Sequence, residues 1–90
     1  MTWDDLIAKL AEWEHNPEEL AEYDLIPPTR EAIMAARAWA NIHPRRKRPP
    51  DRAVRDGDGG IVFDYLSTPT GSRSLEFDHN GNGTWLGKMQ

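Results

Sequence analysis

The stretch DGDGGIVFDYL at residues 56–66 carries the strongest strand signal of the 90-residue chain. Ile61, Phe63 and Tyr65 alternate with Val62, Asp64 and Leu66, the period of a strand with one buried and one mixed face. The aspartates and glycines before it are typical of a tight turn, because glycine adopts positive φ easily and aspartate bonds its own turn backbone. The chain is therefore expected to enter its sheet through an acidic glycine turn.

Shorter strand signals flank this stretch. A short strand is predicted at residues 52–55, a second clear strand at 74–78 with Leu75 and Phe77 inward, and a last strand at 84–89. A loop of hairpin composition at 68–72 and a dense Asn/Gly turn at 80–83 separate them. Three to four short strands joined by tight turns predict an antiparallel meander.

The first half of the chain has helical periodicity instead. Apolar residues recur every three or four positions over residues 3–14, with Thr2 as the N-cap, and over 29–43, with Thr29 as the cap and Trp39 as a large anchor. A short piece at 17–23 could form a further helix. Helices first and strands second predict an α+β fold, with two to three N-terminal helices packed on one face of the sheet.

We expect a single domain made of a helical part at residues 1–43, a basic proline-rich linker at 44–51 and the antiparallel sheet at 52–90. The net charge of −4 hides an asymmetry, because acidic residues dominate the first part and basic residues the middle. Residues 45–50 contain no apolar side chain other than proline, so this part of the linker is expected to be exposed.

Several classes of protein are disfavoured. The chain has no cysteine, which excludes disulfides and cysteine-ligated zinc, and it has neither a secretory signal nor an apolar run long enough for a membrane span. We expect a soluble, cytoplasmic, non-enzymatic protein without a cofactor. A weaker alternative is a small enzyme or metal site around Asp56, Asp58, Asp78 and His79. Residues 78–83 match half of a calcium loop, but its bidentate glutamate position falls on Met89.

The sharpest positive feature is a run of four adjacent cations, followed soon by two more. Such residues could contact phosphates and bind nucleic acid in a salt-sensitive manner, or they could lie against the acidic helices. The candidate contact residues, for nucleic acid or a partner protein, are Arg45, Arg46, Lys47, Arg48, Arg52 and Arg55.

The order of four motifs is also informative. PPTREAI at residues 27–33, DGDGGI at 56–61, LEFD at 75–78 and the closing Asn/Gly turn follow one another in this chain. In this it resembles a set of small uncharacterised bacterial proteins over almost its whole length, from about Trp13 to Met89. The resemblance implies no particular activity, because no function or catalytic residues are established for such proteins as a class. Their small size suggests accessory proteins that act beside a partner, with an antitoxin-like role as one form. The insert at residues 45–48 departs from the pattern.

These observations lead to two main hypotheses. The first is a non-enzymatic protein-interaction module, possible forms of which are an antitoxin-like protein and an accessory regulator; aromatic residues would anchor its interface and charges would steer it. The alternative is a nucleic-acid-binding protein that uses the basic linker. A sheet with so few strands also leaves an edge through which a homodimer could form.

Overall fold

A computed structural model of the chain describes residues 1–16, 23–42, 47–69 and 71–88. Within them lie two helices and four strands: α1 (Trp3–His15), α2 (Arg30–Ile42), β1 (Arg52–Arg55), β2 (Ile61–Thr68), β3 (Gly71–Phe77) and β4 (Gly83–Lys88). The predicted helical piece at 17–23 lies outside the described residues except for Tyr23, which is in a turn. None of the described helices is long and apolar enough to cross a membrane.

The sheet is an antiparallel meander in the order β1-β2-β3-β4, so the predicted α+β class is confirmed. The expected loop at 68–72 is wrong in extent. β2 continues to Thr68 and β3 begins at Gly71, and these two residues are paired across a much tighter connection. The pairing is irregular between Tyr65 and Thr68, and this bulge lets the strands run on to the turn.

Both helices begin at side-chain caps. The Thr2 hydroxyl accepts a hydrogen bond from the Asp5 amide at 3.0 Å, and the Asp5 carboxylate accepts one from the Thr2 amide at the same distance. The Thr29 hydroxyl accepts a hydrogen bond from the Ala32 amide at 3.1 Å at the start of α2. These bonds satisfy amides that the first helical turn leaves without a partner. The caps predicted at Thr2 and Thr29 are confirmed.

The core lies between the helices and one face of the sheet. Its buried side chains come from the predicted helical stripes and from alternate strand positions: Trp3, Leu6, Leu10, Trp13, Ala32, Ile33, Ala36, Ala40, Ala53, Ile61, Phe63, Leu75 and Phe77. Trp39 is the anchor of α2, because its ring lies 5.8 Å from that of Trp3, 5.5 Å from that of Phe63 and 6.3 Å from that of Trp85. The small alanines beside it let α2 approach the sheet closely.

Thr29 also brings two distant turns together. Its amide donates to the Gly59 carbonyl at 3.0 Å, and its hydroxyl donates to the His79 carbonyl at 2.6 Å. A Cβ atom at Gly81 would lie 2.8 Å from the Glu31 carbonyl oxygen, so only glycine fits against the first turn of α2. The helix start, the acidic glycine turn and the Asn/Gly turn therefore form one packed corner of the fold.

The predicted linker is partly integrated into the fold. The expectation that residues 45–50 are exposed is wrong at Pro50, whose side chain is fully buried, and the Lys47 carbonyl accepts a hydrogen bond from the Trp3 indole at 2.8 Å. The linker is therefore buried at its end, where it leads into β1.

Candidate functional site

The structure places the predicted basic residues at separate parts of the molecule. Arg45 and Arg46 lie outside the described residues, and Lys47 is exposed. Arg52 and Arg55 are three positions apart on one strand, so their side chains point to opposite faces of the sheet. The described members of the predicted set therefore do not share one face of the sheet.

Arg48 is paired at the edge of β2. β1 begins at Arg52, opposite Asp64, and therefore offers no partner to Leu66; Pro49 and Pro50 before it have no amide hydrogen to donate. The Asp51 carboxylate instead accepts from the Leu66 amide at 2.6 Å, and the Arg48 guanidinium donates to the Leu66 carbonyl at 2.9 Å and to Asp51. The hydrogen bond from Arg48, followed by the one from Leu66, lowers the pKa of Asp51. The two side chains replace a strand at this edge.

Arg55 lies on the helix-covered side of β1. Its guanidinium carbon is 5.3 Å from the centre of the Trp13 ring, and the Lys9 ammonium is 5.7 Å from the same ring. Both distances are within the range of cation–π attraction. Arg55 and Lys9 therefore form a small basic site at the α1 side of the sheet.

Arg52 belongs to a hydrogen-bonded row on the other face of the sheet. Asp64, Ser74 and Leu86 occupy neighbouring positions on β2, β3 and β4 beside it. The Arg52 Nε atom donates to Asp64 Oδ2 at 2.6 Å, and the Ser74 hydroxyl donates to Asp64 Oδ1 at 2.7 Å. Both carboxylate oxygens are therefore satisfied, although Asp64 is only 7 % exposed.

The charge state of Asp64 follows from these contacts. Burial on its own would raise the pKa of Asp64, but the hydrogen bonds from Ser74 and Arg52 outweigh it, so the pKa lies below the ordinary value. The carboxylate is ionised at neutral pH and neutralised by Arg52. The Arg52 side chain is 62 % exposed, so most of its donors remain accessible to a bound molecule.

This row forms the floor of an open depression of about 420 Å³ on the face opposite the helices. We call this side of the sheet the open face. The depression in it is lined by Arg52, Asp64, Leu66, Ser72, Ser74, Glu76, Leu86 and Gly87. Leu66 and Leu86 are 40 % and 48 % exposed, and Val54 lies on the same face of β1 with 40 % exposure. Exposed apolar side chains therefore lie beside a polar floor that contains the Arg52–Asp64 pair and the Glu76 carboxylate, an arrangement suited to binding another molecule.

The acidic turns use their carboxylates internally. Asp56 Oδ1 accepts from the amides of Asp58 and Gly60, and Asp78 Oδ1 accepts from those of Asn80 and Asn82. No three histidine, aspartate or glutamate side chains of residues 1–16, 23–42, 47–69 and 71–88 lie close enough together to hold a metal ion. The described geometry of these turns is that of local backbone capping.

The chain matches no protein-family model, and comparisons with curated proteins and with solved structures found no significant match. A functional hypothesis must therefore come from the described surfaces.

The sequence reasoning missed most of the open face. Among its lining residues only Arg52 was a candidate, and it was chosen as part of a basic run. The available signal was the alternation in β2, which assigned Asp64 and Leu66 to the more mixed face. A strand pattern cannot tell which residues of other strands lie beside them, so the row could not be assembled from it.

Proposed function

We propose that this protein is a non-enzymatic protein-interaction module that binds a partner protein through the open face of its sheet. The observation that carries the proposal is a sheet face that neither described helix covers, on which the exposed leucines 66 and 86 lie beside the Arg52–Asp64–Ser74 row. Exposed apolar side chains beside polar groups that are already hydrogen-bonded are found on surfaces that contact another protein.

The chemistry of the face indicates what the partner should present. Leu66 and Leu86 would contact apolar side chains, and the exposed part of Arg52 would meet a carboxylate. Because Asp64 is already paired with Arg52, a partner would not have to neutralise it, but it would also meet the Glu76 carboxylate in the same depression. The partner is therefore expected to offer an apolar surface with a carboxylate for Arg52 and a hydrogen-bond donor or cation for Glu76.

An antitoxin-like protein or an accessory regulator is the more specific form of this proposal. Its support is the small size of the chain, which suits a protein that acts beside a larger partner. In this role the open face would cover a functional surface of the partner. Binding and neutralisation would then be lost together when the face is altered.

The test uses the protein as bait in a lysate of the organism that encodes it, with nuclease and at moderate and high salt. Leu86→Glu places a charge on the open face, whereas Met34→Glu makes the same change at an exposed position of α2, 57 % accessible. We expect one protein to be retained by the wild type and by Met34→Glu and to be lost with Leu86→Glu. Retention by all three baits would overturn the proposal.

The same experiment tests the alternative of nucleic-acid binding. Nucleic acid that is retained without nuclease and released by high salt would assign the function to Arg45, Arg46, Lys47, Arg48, Arg52 and Arg55. Replacement of residues 45–47 by serine would then abolish retention. If the bait retains no nucleic acid without nuclease at moderate salt, the alternative is excluded.

A further inference from the structure

β4 is an edge strand whose outward groups can be assigned from its hairpin. The Asp78 amide donates to the Asn82 carbonyl at 3.0 Å, and the Gly81 amide donates to the Asp78 carbonyl at 2.9 Å. Residues 78 and 82 thus form a hydrogen-bonded pair, and alternate residues beyond them bond to β3. The backbone groups of Gly83, Trp85 and Gly87 consequently point away from β3. No other part of the described chain forms a backbone hydrogen bond with them.

The residue sizes along this edge are symmetric about Trp85. The segment reads Gly83-Thr84-Trp85-Leu86-Gly87, with a glycine two positions away on either side of the indole. If a second copy of the strand is paired antiparallel about Trp85, every outward residue meets an outward residue. Trp85 then lies opposite Trp85 of the second copy, and Gly83 lies opposite its Gly87. Such a match of a surface with itself is what a two-fold interface requires.

Gly87 has no evident reason to be glycine within one chain. Its φ is outside the positive region, and a Cβ atom added there would meet no heavy atom within 4 Å. Glycine costs conformational entropy in a strand and is used where another backbone or ring approaches closely. In the paired arrangement, Trp85 of the second copy is the diagonal neighbour of both Gly83 and Gly87, so the glycines leave room for its indole.

Trp85 is already ordered for such a contact. Its ring packs against Trp39 at 6.3 Å and Tyr65 at 5.8 Å, and the Arg73 guanidinium lies 4.5 Å from its centre. The residue is nevertheless 45 % exposed. A large aromatic side chain that is rigid but half exposed loses little entropy when it becomes buried at an interface.

The opposite edge of the sheet is unsuitable for the same pairing. β1 has only four residues, two of them arginines, and it follows Pro49 and Pro50. Short length, charge and proline are the features that prevent edge-to-edge pairing. β4 has six residues and no proline, and its single charged residue, Lys88, is at its end.

We propose that this protein forms a homodimer in which β4 pairs with β4 of a second copy, antiparallel and centred on Trp85, to give a continuous eight-stranded sheet. The dimer is held by the backbone edge of β4, whereas the proposed partner binds side chains of the open face, so the inference does not rest on the proposed function. Leu86 and Gly87 border both surfaces. The dimer accounts together for Gly83, Gly87 and the exposed part of Trp85, because all three would lie at its interface.

The first test measures mass against concentration by analytical ultracentrifugation, for the wild type and for Gly87→Val. In the monomer, valine at position 87 enters empty space and has a higher strand propensity than glycine, so thermal stability at low concentration should be unchanged or raised. In the dimer, the valine should collide with the indole of the second copy and weaken association at least tenfold. A wild type that stays monomeric at all concentrations would overturn the proposal, as would a dimer that Gly87→Val leaves unchanged.

The second test determines the register by cross-linking, which the absence of natural cysteines makes specific. Pairing about Trp85 puts Thr84 opposite Leu86 of the second copy, close enough for a disulfide, whereas Thr84 is too far from the second Thr84. A mixture of Thr84→Cys and Leu86→Cys chains should therefore cross-link on oxidation far more than either variant alone. Met34→Cys chains provide the level of random collision. Equal cross-linking in pure and mixed samples, or none above that level, would exclude this register.

Discussion

The two faces of the sheet are built from the same strands but are organised by different interactions. On the helix-covered face Ile61 and Phe63 are inaccessible to solvent, and aromatic rings pack in series. On the open face the most buried residue is the charged Asp64, which is held by Arg52 and Ser74. The helix-covered face stabilises the fold by removing apolar side chains from water. On the open face, hydrogen bonds to the Asp64 carboxylate compensate for its burial.

This difference predicts which face is required for stability and which is used for binding. The side chains on the helix-covered face are closely packed, so the loss of any buried group there should lower the free energy of unfolding. The open face retains exposed leucines without needing them for the core. Substitutions on the two faces should therefore separate stability from binding, and the following experiments are ordered by the size of their expected effect on stability.

Phe63→Ala should give the largest loss of stability. Phe63 is fully buried and contacts the rings of both Trp39 and Phe77. Removal of such a side chain costs about 3–5 kcal/mol, a large share of the stability of a small domain. Urea unfolding followed by tryptophan fluorescence measures the change. A loss similar to that of an exposed residue would show that the core is not centred on Phe63.

Asp64→Ala should cost less, roughly 1–2 kcal/mol, because two hydrogen bonds to a charged group are lost. Arg52 is largely exposed and can be hydrated again, which limits the damage. The same unfolding assay applies. Arg52→Ala is the matched variant: it leaves a nearly buried carboxylate with Ser74 alone and should also destabilise. A stabilised Asp64→Ala protein would contradict a structural role for the row.

The dependence of stability on pH should also reveal the lowered pKa of Asp64. Its pKa is lowered in the folded state, so the unfolded chain takes up the proton first as the solution is acidified. The stability it contributes is complete above its ordinary pKa of 3.8 and is lost as the pH falls through the lower folded value. Urea unfolding between about pH 6 and pH 2.5 should show a shallower decline for Asp64→Asn than for the wild type. Identical slopes would mean that Asp64 titrates normally.

Leu86→Ala should have the smallest effect, within about 0.5 kcal/mol, since the side chain is half exposed. The matched control is Leu75→Ala, because Leu75 lies on the neighbouring strand, faces the helices and is only 3 % exposed. That substitution should cost about 2–4 kcal/mol. Comparable losses at the two leucines, measured by thermal unfolding, would show that the open face is part of the core.

Much of the fold could be predicted because its signals are local. The stripes of α1 and α2, the caps at Thr2 and Thr29 and the alternation in β2 all depend on residues within one or two turns or strand repeats. The extent of the hairpin around residues 68–72 was misjudged, because polar composition does not distinguish a loop from paired strand ends. The burial of Pro50 was missed for a related reason, since burial depends on the route of the chain over the core.

The candidate site could be predicted much less well. The basic run drew attention to six cations, yet Arg48 completes the edge of β2 and Arg55 lies on Trp13. Charge in a sequence does not reveal which acidic or aromatic groups will lie beside it. The alternation of β2 assigned Asp64 to the mixed face but did not identify Asp64 or Leu86 as site residues, because that role depends on which residues of neighbouring strands lie beside them.

Residues near one another in the chain were thus enough to establish the class of fold, the helix starts and the inward face of β2, because caps, turns and periodicity act over a few residues. The row from Arg52 to Leu86, the corner at Thr29 and the outward backbone of Gly87 depend on which strands become neighbours and in what register. Those relations join residues up to fifty positions apart and arise from packing of the whole chain against one core.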